Sequence, residues 1–199
     1  MKIRFRYSWI YDEKHRSSPL IQERLRSQGK KYPSTKKVSN YIKTIEQLWR
    51  KEERKILSEI SKISGLIWKE KEIICYVVGH AGCFSDPLTM KLFENKTDFI
   101  DTLTHELIHQ IQTQNQKINK KWKEYVQKKY KDESIMTQNH IALHAIHYKL
   151  YLKLFSKNRL KRDMNFSKKV KAEDYIRSWQ IVEEKGAENI IKKFHEVTK

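Results

Sequence analysis

The stretch TDFIDTLTHELIHQIQTQ, residues 97–114, decides how the rest of the chain is read. It predicts a helix, with Thr97 as its capping residue and Asp98 and Asp101 near its positive end. Within it stands His105-Glu106-Leu107-Ile108-His109, an HExxH pattern. Residues four apart on a helix lie about 400° round the axis and ~6 Å along it, so both imidazoles point to one side. Each can offer a nitrogen at about 2.0–2.1 Å to one zinc ion. Glu106 is about 100° round the helix from His105 and so flanks the ion without ligating it. There it can take a proton from a metal-activated water and pass it to a leaving amine. Between Thr102 and Ile111 the only formal charge is Glu106, an absence that a metal-site helix buried in a core requires.

Working outward, Ile3, Phe5, Tyr7 and Trp9 alternate with Arg4, Arg6 and Ser8, the period of a strand with one buried face. Residues 11–38 are polar, carry Pro19 and Pro33, and read as a loop around one short helix. From Asn40, the residues Tyr41, Ile45, Leu48, Trp49, Ile56, Ile60 and Ile63 fall on one stripe of a long amphipathic helix, capped by Asn40 and ended by Gly65. Residues 72–79, EIICYVVG, are apolar and β-branched and predict a buried central strand; residues 88–93 predict its neighbour. Beyond the HExxH helix, a short helix is expected near Trp122, Tyr125 and Val126, and a longer one over residues 137–155 that packs through Leu143, Ile146, Leu150 and Leu154. Two more follow, around Tyr175, Trp179 and Val182 and around Ile190, Ile191, Phe194 and Val197, broken at Gly186. Trp49, Trp68 and Trp179 read as core. The class is α+β with helices in the majority. One domain is expected over 1–199: an N-terminal strand and long helix (1–66), a metal-site core (67–155) and C-terminal helices (156–199).

The ten residues from Thr102 to Ile111 resemble the extended signature of the zincin metallopeptidases at every position: a small Thr, an uncharged residue, any residue, HE, two uncharged residues, H, an uncharged residue and an apolar one. The resemblance covers about residues 70–155 in sequence reading. It implies a small twisted sheet packed on the active-site helix, and an edge strand, placed at residues 85–93, that pairs with substrate backbone. It further implies a peptide or protein substrate, one Zn2+ per chain, and Glu106 as general base.

The third ligand departs from the superfamily's patterns. Metzincins continue with a glycine and a third histidine where this chain has Gln112 and Asn115. Gluzincins take a glutamate from a following helix, yet residues 137–155 hold no acid and instead carry His140, His144 and His147. By position, Asn139-His140 stands like the Asn-Glu pair of gluzincins, so His140 is the expected ligand, with His144 the close alternative. Whichever does not ligate is expected to orient substrate or support a ligand. Glu124 and Glu173 are acidic alternatives, and Asp101, one turn before His105, is a candidate to accept a hydrogen bond from its second ring nitrogen. His80 and Cys83 share an H-xx-C spacing but lack a second pair, so a loop role is expected; Cys75 reads as a small buried hydrophobe, and His15 and His195 as surface residues.

Composition bounds these readings. With 42 Lys plus Arg against 24 Asp plus Glu, the formal net charge is +18, which attracts polyanions. At 38% hydrophobic with 22 aromatic residues the chain can build a core, which excludes a wholly disordered basic tail. No run approaches the roughly 18 apolar residues of a membrane span, and two cysteines are too few for a secreted disulfide framework. A cytoplasmic protein with reduced thiols and no membrane association is expected. Besides a zinc metallopeptidase, two function classes fit: a nucleic-acid-associated basic protein, including a protease acting on DNA-bound proteins, and a zinc-binding domain without catalysis.

Overall fold

The apolar run at 72–78 pairs on both sides, which is why its residues need not alternate. In the structure, a computed structural model that describes residues 1–199, β1 (Lys2–Arg6) and β2 (Glu72–Val78) run parallel with Ile3 opposite Ile73 and Phe5 opposite Cys75. β3 (Phe84–Ser85) and β4 (Leu88–Lys91) complete a four-stranded mixed sheet of order β1-β2-β4-β3, in which β4 is parallel to β2 and antiparallel to β3. Nine helices accompany the four strands, so the fold is α+β and helix-rich.

Several elements differ from the sequence expectation, each for a local reason. β1 stops at Arg6 because the Ser8 hydroxyl accepts from the Tyr11 N–H and starts α1 (Trp9–Arg16), which leaves Trp9 64% exposed and outside the strand. The expected loop at 11–38 holds most of α1, all of α2 (Pro19–Ser27), with proline in its first turn, and the start of α3 (Thr35–Ser64). Asn40 is therefore interior, and Ser34 Oγ accepts from the Lys37 N–H at the helix start. Gly65, at φ +68°, ends α3 as expected, its N–H donating to Ser61 O. α4 (Lys96–Gln114) begins one residue before Thr97, and the Asn95 side chain does the capping, accepting from the Thr97 N–H at 2.9 Å. After α5 (Gln116–Lys129) and α6 (Ile135–Leu154), whose cap is Ser134, comes α7 (Lys157–Lys169), a helix with so few apolar residues that its periodicity does not stand out. α8 (Glu173–Lys185) and α9 (Ala187–Thr198) are separated at Gly186, φ +80°.

The chain forms two compact units, neither continuous in sequence. Residues 1–54 and 70–106 contain the sheet, α1, α2 and the leading parts of α3 and α4. Phe99 of α4 is fully buried against the rings of Phe5, Tyr41 and Phe93. Glu53 Oε1 accepts from both the Ile3 N–H and the Trp49 indole, tying α3 to β1. The carboxylate of Asp12 is buried too. It accepts from the Gly79 N–H and the Tyr32 hydroxyl, each at 2.7 Å, from the Tyr7 hydroxyl and from Arg16. Four donors around one buried charge replace its hydration.

The second unit, residues 55–69 and 107–199, is built round α6, which contacts α5, α7, α8 and α9. Residues 140–147 are buried on every side of that helix, so the single packing face expected from Leu143, Ile146, Leu150 and Leu154 widens to the full circumference. Trp122 of α5 meets Phe194 of α9, Asn115 bonds the carbonyls of Ile67 and Ile111, and Lys153 pairs with Glu59. Trp49 and Trp179 are core, while Trp68 is half-buried and donates to Leu57 O.

Two substitutions test the Asp12 node. Asp12→Ala leaves four donors without their acceptor and is expected to cost about 3 kcal/mol or more in urea unfolding. Gly79→Ala drives a Cβ to 2.4 Å from the Tyr32 ring and is expected to lower the midpoint as well. Lys14→Ala, two residues along and exposed, should stay within about 0.5 kcal/mol.

Candidate metal centre

Helical spacing brings His105 and His109 to one side of α4, and α6 supplies the third imidazole. One ligand atom from each of His105, His109 and His140 lies within 4.8 Å of the others. His109 Nε2 and His140 Nε2 are 3.3 Å apart. Two nitrogens each 2.0–2.1 Å from a tetrahedral ion stand about 3.3–3.4 Å apart, so this pair is already at ligand spacing.

Tautomers follow from the partners. His140 Nδ1 lies 2.7 Å from Met136 O, and a carbonyl only accepts, so Nδ1 carries the hydrogen. The lone pair is then on Nε2, the atom that faces His109. Burial pushes the His140 pKa down, and it pushes His109 down to about 3, with the neighbouring His140 and Lys123 adding to the effect. Neutral imidazoles are what a metal needs. The chemistry of the donor set therefore fits zinc: three imidazole nitrogens, those of His109 and His140 held neutral and that of His140 oriented by a backbone carbonyl. Glu106 is buried on the same turn of α4, and burial raises its carboxyl pKa to about 7.

The other α6 histidines have different surroundings. His144 lies flat on Trp179, centroids 4.0 Å apart and 5° from parallel, and its Nδ1 is 2.7 Å from Ser178 Oγ. Because Ser178 Oγ also donates to Tyr175 O, the His144 Nδ1–H is the donor in that pair. His144 still touches the centre through its ring, 5.3 Å from that of His140. His147 is fully buried, with Asp163 Oδ2 3.8 Å from its Nδ1 and Tyr151 edge-on to its ring.

Asp101 is buried one turn before His105, while Glu124 and Glu173 are exposed and are not part of the cluster. His80 sits in the loop after β2 with its carbonyl facing the Tyr32 hydroxyl, and Cys75 is fully buried in β2. His15 and His195, expected at the surface, are half-buried: His15 packs edge-on to Tyr11, and His195 Nε2 donates to Ile63 O as its ring covers Gly65. Residues 85–93, expected as an exposed edge strand, instead place β4 inside the sheet, with β3 folded back on Leu88 and Thr89.

Two residues of the site escaped the sequence reading. Tyr175 lays its ring 4.3 Å from that of His140, and Ser178 holds His144. The available signal was the i, i+3, i+4 spacing of Tyr175, Ser178 and Trp179, which core packing explains equally well. Comparison with models of known protein families, with curated proteins and with solved structures finds no match to this chain.

Metal analysis of purified variants checks the assignment of ligands. His140→Ala is expected to bring zinc far below one per chain. His144→Ala, which removes a neighbour and not a donor, should retain the metal with affinity weakened by about 10- to 100-fold.

Proposed function

We propose that this protein is a zinc-dependent metallopeptidase. One observation carries the reading: three imidazoles from two helices converge within 4.8 Å beside a buried glutamate in HExxH order. His105, His109 and His140 would hold one ion per chain. When bound, zinc polarises a peptide carbonyl and lowers the pKa of a water molecule to about 7.

Glu106 moves the proton. One of its carboxylate oxygens takes a proton from water as the water oxygen bonds to the carbonyl carbon. The same proton goes to the amide nitrogen as the carbon–nitrogen bond breaks, and the second water proton stays with the new carboxyl group. The helix that carries Glu106 is apolar around it, with Leu103, Leu107 and Ile108 all buried, so little solvent competes for that proton. Met136 O keeps His140 in its ligating tautomer, and the Tyr175 ring fixes the orientation of the same imidazole. The substrate is a peptide or protein. Because β3 covers part of β4, backbone pairing along residues 85–93 is not assigned to the substrate.

Glu106→Gln is expected to keep its zinc and to lose hydrolysis of a quenched-fluorescent peptide library by about 10²-fold or more. Normal cleavage by that variant would remove Glu106 from the mechanism. Chelation should abolish hydrolysis while the far-ultraviolet circular dichroism is retained, because the apolar cores do not depend on the ion. Unfolding on chelation would mark a structural zinc domain instead.

A further inference from the structure

Residues 117–131, α5 and the turn after it, hold seven basic side chains and one acidic; α7 matches them and adds an exposed aromatic ring, Phe166. Residues 157–171, α7 and the turn after it, hold seven basic side chains and one acidic, a net of +6 out of the chain's +18. Some basic residues elsewhere are paired with acids: Lys2 and Arg4 with Glu72, Lys30 with Glu94, Lys149 with Glu188, and Arg177 with Glu133 and Glu184. Lys157, Lys161, Lys168, Lys169 and Lys171 are exposed and make no ion pair. The one acid of the segment, Asp163, lies 3.8 Å from the His147 ring nitrogen.

α7 docks through Leu160, Met164 and Ser167, which are buried. Phe166 is about 100–160° round the axis from each of them and is 51% exposed, with Val170 beside it at 52%. On that outer face Arg162 and Lys169 stand within about 60° of Phe166 and roughly 10 Å apart along the axis. An aromatic ring between cations is the arrangement that stacks a base while neighbouring phosphates are neutralised. A membrane surface would need a whole apolar face, and the remaining apolar side chains of α7, Leu160 and Met164, are turned into the protein.

We propose that the outer face of α7 and the turn to Lys171 bind single-stranded nucleic acid, Phe166 stacking on a base and the unpaired lysines meeting the backbone phosphates. This surface is independent of the hydrolytic reading and survives its failure.

The test is fluorescence anisotropy of the full-length protein with a labelled oligothymidine of about 15 nucleotides. Affinity should fall steeply between about 50 mM and 200 mM salt. The triple charge reversal of Lys168, Lys169 and Lys171 to Glu should weaken binding tenfold or more and flatten the salt slope. Phe166→Ala should weaken it about fivefold or more with the slope unchanged, and should leave binding to a duplex of the same length nearly unaltered. The proposal is overturned if reversing Lys117, Lys120 and Lys128 on α5 weakens binding as much as the α7 reversal does. It is equally overturned if Phe166→Ala binds like the parent. Preference for phosphatidylserine–phosphatidylcholine vesicles over the oligonucleotide would assign the face to a membrane.

Discussion

The candidate centre depends on keeping several largely buried imidazoles neutral and oriented. Burial is the largest cause that drives His109, His140 and His144 to their uncharged forms, and neighbouring imidazoles add to it at His109 and His144. A neutral imidazole still has one hydrogen and one lone pair to place. Met136 O takes the hydrogen of His140 and Ser178 Oγ takes that of His144, and both choices aim the remaining lone pair from Nε2. A carbonyl in the first turn of α6 thereby sets which nitrogen of His140 faces His109.

That requirement explains the composition of α6. A helix buried around its whole circumference cannot carry charge without partners, and residues 135–148 carry none. Histidine is the residue that brings metal-binding capacity into such a helix without bringing a fixed charge. A glutamate at position 140 would need either the ion or a counter-charge whenever the site was empty. Asp12 shows the other solution within the same chain: a carboxylate kept buried because four donors from α1, β1's exit, the 30s segment and β2's end converge on it.

Exclusion of charge from the core leaves the surplus on the outside, but not evenly. Where acids are near, surface lysines and arginines pair with them, as at Glu72, Glu94 and Glu133. α7 and the turn to Lys171 have one acid for seven bases, and their lysines stay in solvent. Such clustering raises self-repulsion that a polyanion would relieve. No helix of the chain is long and apolar enough to cross a membrane.

Residue order alone determined the parts ruled by short-range periodicity. The HExxH turn on a helix, the buried strand at 72–78, the stop at Gly65 and the break at Gly186 are all properties of a few neighbouring residues. α1 was read into the first strand and the loop after it, and the starts of α3 and α4 were misplaced, because Ser8, Ser34 and Asn95 each lie among other polar residues that can cap as well. α7 escaped because a helix docked through Leu160, Met164 and Ser167 shows too short an apolar stripe. Tertiary structure alone decided which histidine of α6 stands at ligand spacing from His109. His140, His144 and His147 share one stripe, and only the crossing of α6 past α4, with Trp179 and Ser178 holding His144 on α8, separates them. The packing of one helix on another is a long-range choice, and no local pattern in the sequence encodes it.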